Sequence, residues 1–146
     1  MKWIYIFLAI LGGMMIGIQS PINGSLGKKI GAVEGAFVSF FVGTMVLAFL
    51  VLFFGKGHIT DLFQVPKWNL LGGFLGAMFV TFTIISVPKV GVAVTLLAGI
   101  IGQMAISVII DHFGLFGMPK NRIDINRLIG IGLMLTALFF LYRGSE

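Results

Sequence analysis

Five stretches free of Asp, Glu, Lys and Arg occupy most of this 146-residue chain: 3–27, 35–55, 68–88, 90–110 and 128–142. A bilayer hydrocarbon core about 30 Å thick is crossed by roughly 20 apolar residues at ~1.5 Å each, so the first four stretches are long enough to span it. The fifth is shorter. It lies between Arg127 and Arg143, whose aliphatic stems can carry their charges out to the two interfaces. The chain reads as an all-α integral membrane protein with five transmembrane helices.

Composition agrees with that reading. The chain is 58% hydrophobic and 10% charged, where soluble domains carry about 25% charged residues. Its 21 glycines suit closely packed membrane helices. A β-barrel is disfavoured because the apolar runs are continuous, whereas barrel strands alternate between lipid-facing and lumen-facing residues.

Chemistry is bounded as much by what is missing. With no cysteine the chain has no disulfide, thiolate nucleophile or cysteine-ligated metal, and only two histidines remain. No P-loop, Ser-His-Asp set or metal-ligand cluster stands out, so neither an enzyme nor a cofactor or metal site is expected. The formal net charge of +5 comes from basic residues at helix ends and loops, which points to cytoplasmic loops and lipid phosphates rather than nucleic acid. Lys2 and the apolar run after it resemble a signal peptide, but no small-x-small cleavage site follows and the run continues as a full span.

Pro and Gly punctuate the spans. The first stretch is interrupted by Gln19-Ser20-Pro21-Ile22-Asn23-Gly24-Ser25. Pro21 removes a backbone donor and biases Ser20 away from helical geometry, so helix 1 either ends near residue 20 or is kinked there and continues to about 27. The remaining helices are expected over 32–54, 68–88, 90–111 and 126–142. Helix 2 carries Gly35, Ser39 and Gly43 at four-residue spacing, and helix 3 carries Gly72, Gly73 and Gly76, small positions that let another helix approach. The loops leave no room for a soluble domain, and a single transmembrane domain over 1–146 is expected.

Helix 4 holds a polar or small stripe: Thr95, Gly99, Gln103 and Ser107 recur at i, i+4, which keeps neighbouring members on one face. An amide facing lipid would lack hydrogen-bond partners, so Gln103 is expected either to bridge two helices or to line a substrate path. Gln19, Ser20 and Asn23 on helix 1 are the other candidate path residues. The acids stand at span ends, with Glu34 opening helix 2 and Asp111 closing helix 4 beside His112. They are candidate coupling acids if transport is proton-linked, or else solvated or paired helix-end charges.

The segments GGMMIGIQSPINGSLGKKIGAVEGAFVSFFVGT and IIDHFGLFG resemble the bacterial YdcZ-like family of small membrane proteins, and the resemblance covers essentially the whole chain. More loosely, RIDINRLIGIGLMLTALFFLYR resembles the last helix of EamA-type and small multidrug resistance transporters in the drug/metabolite transporter superfamily. The resemblance implies a five-helix unit equivalent to half of a ten-helix inverted repeat, located in the inner membrane. Small multidrug exporters have a carboxylate in helix 1. Here that span carries Gln19, Ser20 and Asn23 instead, so proton-driven export of hydrophobic cations does not carry over.

Charge counting bears on the two-orientation plan. Across five spans the N-terminal side holds Lys2, Lys56, Lys67, Lys120, Arg122 and Arg127, and the opposite side holds Lys28, Lys29, Lys89 and Arg143. So small a bias leaves both insertions open, as an antiparallel homodimer or a pair with a paralogue requires. The expected function is transport of a small metabolite or amphipathic compound by alternating access between two protomers. The alternatives are translocation of a lipid or lipid phosphate, and a non-transporting assembly subunit.

Overall fold

The computed structural model describes residues 2–144, and among these there is no β-strand. Its five long helices are α1 (Lys2–Ile30), α2 (Ala32–Phe54), α3 (Leu71–Val90), α4 (Val92–Phe113) and α5 (Ile125–Arg143). Each is long and apolar enough to cross a membrane. Short 3-10 turns at Ile59–Phe63 and Lys67–Leu70 lead into α3, and another at Leu115–Gly117 follows α4.

Helix 1 does not end at residue 20. It passes through Pro21 to Ile30, a run of 29 residues and about 43 Å at 1.5 Å per residue. A proline deletes one i→i−4 bond, here the one its own nitrogen would have made, and leaves the donors on either side intact. Membrane helices tolerate that loss where neighbouring helices and hydroxyl side chains re-satisfy freed groups. Beside it, Ser20 Oγ donates to the Ile16 carbonyl at 2.7 Å.

A single residue, Gly31, separates α1 from α2. Its φ of 105° and ψ of 150° lie where L side chains rarely go, so the reversal depends on glycine. The turn is closed by Gly31 N–H donating to the Gly27 carbonyl and Gly35 N–H donating to the Gly31 carbonyl, both at 2.9 Å. Gly91 repeats the device between α3 and α4, with φ 84° and the Thr95 N–H on its carbonyl.

The chain divides into two compact units at Pro88/Lys89. In the first, α1, α2 and α3 close on one another where side chains are smallest. A Cβ added to Gly35 would stand 3.2 Å from the Cα and N of Gly27, so the two backbones are in contact. Ile84 of α3, 2% exposed, fills the space beside them, and Val87 covers Gly24. Removing so large a side chain from water is worth roughly 1.5–3 kcal/mol in an aqueous reference. In a bilayer the close van der Waals packing matters more.

In the second unit α4 packs on α5, and the loop between them is tied back to the end of α4. Asn121 N–H donates to the Asp111 carbonyl at 2.7 Å and Ile123 N–H donates to His112 Nδ1 at 3.2 Å. Arg127 Nη1 pairs with Asp111 Oδ2 at 3.0 Å, while Asp124 Oδ1 accepts from the Arg127 N–H and caps α5. Across both units the large exposed side chains are overwhelmingly apolar, as a lipid-facing surface requires.

Candidate functional site

Above the Gly27–Gly35 contact the three helices of the first unit part around a cavity of about 350 Å³. Helix α1 contributes Ile16, Gln19, Ser20 and Asn23, and α2 contributes Ser39, Phe40, Gly43, Thr44 and Leu47. Gly76, Phe79, Val80 and Thr83 complete it from α3. Spacing explains the first two walls, since Gln19 and Asn23, like Ser39 and Gly43, stand one turn apart on a shared face.

The floor is polar. Ser20, Asn23 and Thr83 are 3%, 6% and 7% exposed, and they are the buried polar residues of the described chain. Several hydroxyls are spent as donors on their own helices: Ser20 on Ile16 O at 2.7 Å, Thr83 on Phe79 O at 2.9 Å and Thr44 on Phe40 O at 2.8 Å. Their oxygens keep lone pairs, so toward the cavity they act as acceptors. Ser39 Oγ donates across from α2 to Asn23 Oδ1 at 3.1 Å, which engages the amide oxygen and leaves the NH₂ as the donor this cavity-lining residue still has to offer. That nitrogen is not sealed in, because no fully buried side-chain polar atom among the described residues lacks a partner. Phe40, Leu47, Phe79, Val80 and Ile16 make the remaining walls apolar, and no charged residue lines the cavity.

Of the residues singled out from sequence, Gln19, Ser20 and Asn23 meet in this cavity, with Gln19 at its exposed edge. Thr95, Gln103 and Ser107 belong to the second unit. Thr95 is half-buried and donates to the Gly91 carbonyl at 2.7 Å, whereas Gln103 and Ser107 are exposed along α4. Asp111 is held by Arg127, and Glu34 is exposed in the first turn of α2 beside Gly31. Neither acid lines the cavity.

Among the small positions, Gly35 meets the α1 backbone and Gly76 faces the Phe40 ring, where an added Cβ would be 3.5 Å away. Gly43 and Gly72 look onto open space, and Gly99 is half-buried within α4. Sequence reasoning missed Thr44 and Thr83 and read Ser39 only as a packing position. The available signal for Ser39 and Thr44 was that two hydroxyls interrupt one otherwise apolar span.

The fold and the cavity define a multi-pass α-helical membrane protein with an uncharged, polar-floored hollow inside its spans. A family model described as "Putative inner membrane exporter, YdcZ" matches residues 4–140, and the chain belongs to this family of the drug/metabolite transporter superfamily. It is accordingly a multi-pass inner-membrane protein. It is also 32% identical over 92 residues to Transmembrane protein 144 homolog B of Dictyostelium discoideum, a match covering 62% of this chain and 24% of the relative. The chain thus spans about a quarter of the length of the curated relative it matches. No solved structure matches it.

Proposed function

We propose that the protein exports a small amphipathic compound by alternating access, working as an antiparallel homodimer whose protomers rock about their substrate cavities. The observation that carries the reading is the cavity itself. Three buried polar side chains border a space of about 350 Å³ among membrane-spanning helices, and beyond the bonds they make within the protein their remaining lone pairs and N–H groups offer a polar solute partners there. Its surroundings favour movement of a solute over chemistry, since its lining offers neither a charged group nor a histidine.

Two features favour pairing. Gln103 is exposed within a span, where lipid offers no hydrogen-bond partner and a second protomer could supply one. The nearly balanced basic residues allow insertion in either orientation, and an antiparallel pair would build an inverted repeat. The matched segment is only 24% of the Dictyostelium relative, which leaves room in that longer chain for a second such unit.

Lipid translocation is the second reading, and the exposure of Thr44 and Leu47 at the cavity's edge favours it, because a headgroup could enter from the side. Efflux from loaded cells across a panel of small amphipathic compounds separates the readings. Wild type should expel at least one compound faster than Thr83→Leu, which fills the cavity. Equal efflux of every compound, with labelled phospholipid moving between leaflets only in wild-type vesicles, would favour the lipid reading.

A further inference from the structure

The polar groups of the cavity present a definite pattern. Ser20 and Thr83 have committed their protons to their own helices and offer only lone pairs inward. Asn23 has committed its carbonyl oxygen to Ser39 and offers its NH₂. The floor therefore displays a donor beside two acceptors, held on side chains more than nine-tenths buried. Around it the walls are apolar and carry no charge.

Resting on the reading of this cavity as the transport path, we propose that it selects neutral solutes with an apolar body and a compact group that both donates and accepts hydrogen bonds, such as a primary amide. It discriminates against cations and anions of the same shape. A charged ligand would leave water for a space with no counter-ion, and an isolated buried charge costs far more than a hydrogen-bonded neutral group. A primary amide gives its N–H groups to the Ser20 and Thr83 oxygens and its carbonyl to the Asn23 NH₂, leaving no group unpaired. The volume, at the low end for ligand pockets, admits a small molecule.

Gly43 supplies the probe. It lines the cavity, a Cβ there meets nothing within 4 Å, and the chain has no cysteine, so Gly43→Cys places a single thiol in the space. The purified variant in nanodiscs is reacted with a small water-soluble methanethiosulfonate reagent, alone and with millimolar phenylacetamide, phenylacetamidine or phenylacetate. These share one skeleton and are neutral, cationic and anionic. Labelling should be fast without a competitor, slowed about tenfold by the amide and less than about twofold by either ion, as expected where a site pairs one ligand fully and strands the others.

Adding Asn23→Leu should abolish protection by the amide while free labelling stays fast. Adding Asn23→Asp should transfer protection to the amidine. Equal protection by the three compounds, protection by an ion alone, or protection by none overturns the proposed selectivity but leaves an open cavity. Failure of Gly43→Cys to label without competitor, in protein that elutes as a folded species, overturns the transport-path reading and the selectivity with it.

Discussion

Ser39 on α2 donates its hydroxyl to Oδ1 of Asn23 on α1 at 3.1 Å, joining two helices at the floor of the cavity and orienting the amide there. Replacing Ser39 by Ala removes the donor but leaves Asn23 bordering a space that can hold water. The loss should be about 0.5–1.5 kcal/mol, the usual net worth of one hydrogen bond, read as a small fall in thermal unfolding temperature in detergent. Asn23→Leu should leave the protein folded and abolish the proposed export.

Two glycines four residues on either side of Gly31 should respond very differently from a third one farther along α2. Gly35→Leu must force its side chain into the Gly27 backbone, so it should cost at least about 1–3 kcal/mol, the range for overpacking, and Gly27→Leu should do the same by displacing Ile84. Gly43→Leu points into open space. It should unfold at nearly the wild-type temperature while losing export, because it fills the cavity. Paired measurements of unfolding temperature and efflux separate the two effects.

The reversal at Gly31 calls for a substitution of its own. Alanine there would have to hold φ near 105°, a conformation costing on the order of 1–3 kcal/mol for a residue with a Cβ. Gly31→Ala should therefore lower the unfolding temperature, whereas Gly57→Ala, in a loop with open space around it, should not.

The Asp111–Arg127 pair is partly solvated, so its removal should matter little to stability. Asp111→Asn should cost about 0–1 kcal/mol, as exposed ion pairs do, while Asp124→Ala removes the cap of α5 and should cost about 1 kcal/mol. Urea unfolding of the two variants gives the comparison.

Orientation gives a separate test. C-terminal fusions to one reporter active only in the cytoplasm and another active only outside it should both give signal if the chain inserts both ways. Signal from one reporter alone would rule out the dual-topology homodimer and direct attention to an oppositely inserted paralogue.

The five spans were legible because one-dimensional properties determine them: length, absence of charge, and Arg127 and Arg143 at the ends of the shortest. Pro21 was harder to read, because its local effect is real but the donors after it carry α1 on to Ile30. Gln19 and Asn23 could be found by their spacing on one helix. Thr83 could not, since a lone hydroxyl in an apolar span usually bonds its own i−4 carbonyl, as this one does. Only the approach of α3 to α1 decides that its oxygen also borders a cavity. The α4 stripe shows the converse: its periodicity is plain in the sequence, yet within its own unit Gln103 and Ser107 stay exposed, and the cavity is lined from α1, α2 and α3.

The claim that matters most is that water and solute reach the space between α1, α2 and α3 from within a lipid-embedded protein. Single cysteines at Ser39, Thr44 and Thr83, compared with single cysteines at the exposed, apolar positions Phe37, Phe41 and Phe82 outside the cavity, test it directly in intact membranes with a small hydrophilic thiol reagent. The first three should be modified and the second three should stay protected. Protection at all six positions would mean a dry packing defect rather than a path, and would contradict the account.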